Sequence, residues 1–100
     1  MKVFDLHEMK VHAHDERSLN VFYDTPEFKA RMIELPCGGT MRACDMTSYV
    51  VFIVMEGAVT VLVDQEEAYL KTGQCLITEP ATLSMKSEIG VKILGLQVMK

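Results

Sequence analysis

Residues Gly38–Gly57 read GGTMRACDMTSYVVFIVMEG. A glycine pair opens the segment. A polar stretch follows, then a continuous apolar, β-branched run from Tyr49 to Met55, and a second bend at Glu56-Gly57. A run of that length and composition reads as a strand buried on both faces. One face points into the protein interior. The other needs a cover, supplied either by the rest of the chain or by a second subunit, and this is the physical ground for expecting a homodimer.

Working outward from this run, Ala58–Val63 (AVTVLV) is the next strand and Asp64–Glu67 a polar hairpin turn. Ala68–Lys71 returns as a short strand, Thr72-Gly73-Gln74 turns, and Cys75–Thr78 is a strand ended by Pro80, which cannot donate to a ladder. Thr82–Lys86 and Val91–Met99 complete the set, with Gly90 between them. Upstream, Phe28–Leu35 (FKARMIEL) reads as a strand with Phe28, Ala30 and Met32 on one face; Lys29 and Arg31 share the opposite face, which could bind an acidic ligand but is expected to meet water. Leu19–Tyr23 is expected as a strand before the Asp24-Thr25-Pro26 turn. Residues 1–18 form a polar arm carrying all three histidines, and residues 19–100 a single domain. Eight or nine short strands without a long amphipathic helix predict an all-β, closed double-sheet architecture.

The chain has 100 residues, 49% hydrophobic and 24% charged, which suits one globular domain. The net charge is -4 and the basic residues are scattered, so nucleic acid is excluded as an expected partner. No apolar run approaches the ~20 residues of a membrane span, so no membrane is expected. The opening MKVFDLHEMK lacks the apolar core of an export signal. With three cysteines, an odd number, reduced thiols and a cytoplasmic location are the expectation.

Gly38, Cys44, Met46, Val50 and Gly57 fall, without a gap, at the spacing of the first cupin motif, G-x5-H-x-H-x3-E-x6-G. LPCGGTM resembles the proline-glycine-glycine lead-in of that motif. Gly73 matches the leading glycine of the second motif, and Glu79-Pro80-Ala81 lies where a Pro-Pro-Gly turn is usual. Over about Thr25 to Val98 the chain therefore resembles the cupin superfamily, as a small RmlC-like protein with a degenerate metal motif. The resemblance implies a jelly-roll barrel (a double-stranded β-helix) with an interior pocket, often dimeric.

In that family two histidines, a glutamate and a later histidine hold a divalent metal. Here Cys44, Met46, Val50 and either Ser84 or Met85 stand at those positions. The more apolar alternating face favours Met85 as the inward residue. Val50 has no donor atom, and methionines and a buried thiol serve well as packing. Loss of the family's metal, and no cofactor, is the expectation. A soft Cu(I) site made by Cys44, Met46 and Met85 is one alternative. A surface metal site at His12 and His14, which share one face of an extended segment, is another.

No nucleophile elbow or glycine-rich phosphate loop is present. Cys44 has only Arg42 and Asp45 as charged neighbours in sequence, and an inert inward thiol is expected. The function that follows is binding of a small apolar or mixed-polarity molecule in a pocket lined by Met41, Cys44, Met46, Val50, Phe52 and Ser84 or Met85. The alternatives are a metal-dependent isomerase, dioxygenase or cyclase, and a non-catalytic scaffold or regulatory subunit.

Overall fold

The structure, a computed structural model, describes residues 1–99. A four-residue helix α1 (Arg17–Asn20) precedes eight strands: β1 (Val21–Asp24), β2 (Phe28–Leu35), β3 (Thr40–Asp45), β4 (Tyr49–Val63), β5 (Glu66–Lys71), β6 (Cys75–Thr78), β7 (Thr82–Lys86) and β8 (Val91–Val98). Every strand pair is antiparallel. The order β1-β2-β8-β4-β7-β3, with β5 and β6 also paired to β4, curls the sheet into an all-β jelly-roll barrel.

β4 is the spine. The two strands expected at Tyr49–Met55 and Ala58–Val63 are one 15-residue strand. Its first half pairs with β6 and β8, its second with β5 and β7. A register shift between Val54 and Glu56 is the bend between the two halves. Gly57 takes φ +87°, and a Cβ there would stand 2.1 Å from the Gly90 carbonyl oxygen, so no other residue fits. The following hairpin is tighter than expected. Asp64 and Gln65, both at positive φ, make the turn alone, as the right-handed twist of a two-residue hairpin favours, and Glu66 and Glu67 belong to β5.

The core is one cluster that includes Ile33, Leu35, Phe52, Val54, Val59, Val61, Leu70, Leu83 and Ile93. The outer face of the β2-β8-β4-β6 sheet is apolar as well. Met32 and Ala30 are buried on it, Leu94, Leu96, Val51 and Ile53 are half-buried, and Tyr49, Ile77 and Val98 are exposed. The arm supplies part of the cover: Phe4 packs edge-on to Phe22 at 4.8 Å and His7 reaches Glu56 at 3.8 Å.

The strand expected at Leu19–Tyr23 begins only at Val21. Asn20 is the reason. Its side chain accepts from the His12 backbone N–H at 2.8 Å and donates to the His12 carbonyl at 3.0 Å, which fastens the arm and holds the helical turn before it.

Candidate functional site

Alternation along β2 places Arg31 on the same face as Ile33 and Leu35, and that face points into the barrel. The expectation that Lys29 and Arg31 face water is therefore overturned for Arg31, which is 6% exposed. Phe28, Ala30 and Met32 lie on the outer face, where apolar neighbours cover them; both faces of β2 are buried, so polarity alone misplaced the arginine.

Arg31 pairs across the ladder with Gly95, and Gly95 with Phe52. A Cβ on Gly95 would lie 3.4 Å from the Phe52 ring and 3.6 Å from Arg31 Cγ. The missing side chain at Gly95 thus leaves a space that the arginine stem and the aromatic ring both border. One rung toward the barrel mouth, Lys29 pairs with Gln97 and Gln97 with Val50. Gln97 Nε2 donates to Met46 Sδ at 3.8 Å. From the arm, Arg17 Nη1 donates to Cys44 Sγ at 3.2 Å, and α1 rests on β1 and β2.

The mouth therefore gathers two guanidinium groups, Arg17 and Arg31, about a half-buried thiol, with Lys29 farther along the same face of β2. Among the described residues, the close acid–base contacts are His7–Glu56 and His12–Glu16, and neither involves these cations. Arg31 Nε is buried with no hydrogen-bond partner. Burial pushes the Arg31 pKa down, the like charge of Arg17 lowers it further, and Cys44 opposes the shift. An arginine nevertheless stays protonated. The protein thus holds a buried, incompletely satisfied cation, which costs stability unless something anionic meets it.

The residues expected to line a pocket are placed as follows. Met41, Met46, Val50, Phe52 and Met85, each 9% exposed or less, pack into the continuous core cluster, with Cys44 against its edge. The apolar lining expected from the sequence is the filling of the barrel. Met85 points inward, opposite Met41, while Ser84 points outward and edges a surface groove with Ala43 and Leu62. Of the polar residues that converge at the mouth, Arg31 is one the sequence offers, with Lys29, as able to bind an acidic ligand, though on a face expected to be wet; Arg17 and Gln97 carry no such signal. The signal for Arg31 was its shared parity with Ile33 and Leu35; for Gly95 it was a glycine inside an otherwise apolar strand.

This donor set suits a divalent metal poorly. Val50 offers no donor, Met46 Sδ and Cys44 Sγ already accept hydrogen bonds, and two guanidinium groups oppose a cation's entry. Among the described residues no three His, Cys, Asp or Glu side chains come together. His12, held through its backbone by Asn20 and contacting Glu16 at 3.9 Å, gains no further ligand of those types with His14.

No protein-family model and no curated protein matches the sequence. Solved structures do match in shape. A cupin superfamily protein from Desulfitobacterium hafniense superposes with TM-score 0.74 at 9% identity, over 80% of this chain and 74% of that one. The Cnp3 cupin domain of Schizosaccharomyces pombe gives 0.72 at 19%, over 80% and 61%. Salicylate 1,2-dioxygenase from Pseudaminobacter salicylatoxidans gives 0.69 at 20%, over 74% of this chain and 22% of the enzyme. The chain therefore spans about three-fifths of the second and a fifth of the third. The fold is the cupin jelly roll, and no helix among the described residues is long and apolar enough to cross a membrane.

Proposed function

We propose that this chain is a non-catalytic, metal-independent binding protein whose ligand is a small organic anion of mixed polarity, such as a carboxylate, received at the barrel mouth. One observation carries the reading: Arg31 is buried in the barrel wall with an unpartnered Nε and no acidic side chain beside it. A ligand carboxylate would supply the missing acceptors in bidentate form. Arg17, exposed on the arm, is the second cation. Gln97 orients the ligand through its amide, and the partly buried margin of the core at Cys44 meets its apolar part. The expected ligand is thus the mixed-polarity one, with an acid head, rather than an apolar molecule enclosed in the core.

The test is a thermal-unfolding titration with benzoate, succinate and inorganic phosphate against neutral and cationic analogues. Carboxylates should raise the midpoint of the wild type and leave Arg31→Met unmoved, because only a ligand that binds the native state shifts unfolding. Equal shifts with benzamide and benzoate would refute the reading.

A second copy of the chain is proposed as the remaining cover of the outer sheet. Tyr49, Val51, Ile77 and Val98 form one patch by register, since Tyr49 faces Val98 and Val51 faces Ile77. A contiguous apolar patch flanking buried strands is what a self-complementary interface uses.

A further inference from the structure

Cys44 stands in the site that the proposed anion reading assigns, and the inference made here rests on that reading. Its Sγ accepts from Arg17 Nη1 at 3.2 Å. Arg31, 6% exposed with a free Nε, lies on the inward face of β2, near enough to Cys44 for their charges to interact. The other two thiols, Cys37 and Cys75, are exposed, and Cys37 donates to the Glu88 carbonyl at 2.9 Å. The thiolate is the nucleophilic form of a cysteine, and of the three thiols this one accepts directly from a guanidinium group. The same cations would hold a carboxylate of an incoming reagent.

We propose that Cys44 is a site of reversible S-thiolation by small disulfides that carry carboxylates. The reaction is an exchange. Cys44 loses its proton to solvent and the thiolate attacks one sulfur of the disulfide. A new S–S bond forms as the old one breaks, and the departing thiolate takes up a proton. Cys44 is oxidised to a mixed disulfide and the released half is reduced to a thiol. Arg31 and Arg17 hold the carboxylate and so place the sulfur to be attacked. The adduct fills the mouth that the free anion would otherwise occupy, so thiolation and anion binding exclude each other.

The experiment measures site-resolved rates on the three-cysteine protein by mass spectrometry. Three probes are used: dithiobis(nitrobenzoate), which is dianionic; dithiodipyridine, which is neutral; and cystamine, which is dicationic. At Cys44 the anionic-to-cationic rate ratio should exceed that at Cys37 and Cys75 by about tenfold or more, the lower end of electrostatic steering into a charged cleft. Arg31→Met should collapse that excess. Arg17→Ala, a change at an exposed side chain, should reduce it in a protein whose barrel is intact. An unchanged ratio in both variants, or a Cys44 that ignores probe charge, overturns the proposal. Benzoate titration of Cys44→Ser separates the two readings. A retained midpoint shift with an indifferent Cys44 leaves anion binding standing and removes thiolation. Loss of both the shift and the charge preference removes both.

Discussion

Arg17 Nη1 meets Cys44 Sγ at 3.2 Å across 27 residues of sequence. The contact exists because Asn20, buried to 5% exposure, ties the arm to itself through His12. Asn20→Ala removes these two bonds and the longer one to the Ala13 carbonyl, and leaves the His12 N–H and carbonyl to find water. The expected cost is about 1–3 kcal/mol, with amide exchange accelerating first at His12. Unchanged exchange there would show that the arm is held by other means.

Arg31→Met replaces a buried, unsatisfied cation with an apolar side chain of similar length. Without ligand the variant should be more stable, by on the order of 1 kcal/mol or more. The wild type would then carry the arginine at the expense of its own stability, as binding sites commonly do. Urea unfolding decides this; a loss of stability would mean that Arg31 is satisfied within the fold.

Gly57 and Gly73 share a positive φ, of +87° and +86°, yet a Cβ at Gly57 collides with the Gly90 carbonyl while nothing lies within 4 Å of one at Gly73. Gly73→Ala should cost about 1–2 kcal/mol, the penalty of left-handed backbone alone. Gly57→Ala should cost clearly more and populate unfolded chain at ambient temperature. Equal midpoints for the two would contradict the close approach of β4 to the β7–β8 turn.

Ile77, 72% exposed beside Val51, is the centre of the outer apolar patch. Ile77→Glu should shift the sedimenting species from two chains to one while leaving the near-ultraviolet spectrum unchanged. A wild type that sediments as a single chain at every concentration would remove the dimer.

Metal analysis of protein purified without a nickel column should return well below one equivalent of zinc, iron, manganese or copper per chain. A full equivalent of copper, lost in both Cys44→Ser and Met46→Leu, would establish the soft site. A full equivalent of the other ions would favour an enzyme with ligands outside the residues discussed.

Much of the barrel was legible because its signals are local. Tyr49–Met55 announces a strand by composition, Pro80 ends one, and Gly38, Gly57 and Gly73 sit at turns that demand positive φ. The N-terminal helical turn was not legible, since it depends on the bonds Asn20 makes back to His12 and Ala13. Nor was the length of β4, because Gly57 bends a strand as readily as it ends one. The site was harder. The parity that separates Arg31 from Met32 is plain in FKARMIEL, but which face is interior depends on the arm and on the patch beyond it. Charge then argued for water, and the tertiary structure overrode it.

The pairings of this barrel enclose one another: β2 bonds to β8, β3 to β7, and β4 to each of the four strands that follow it. During synthesis, therefore, β2 has only β1 beside it until the last strand has left the ribosome, and its apolar sequence stays open throughout. Arg31 and Lys29 then interrupt an otherwise sticky segment with charge, which opposes strand-to-strand association between nascent chains. The arginine that sits uneasily in the finished barrel is, at that earlier moment, a guard against misassembly.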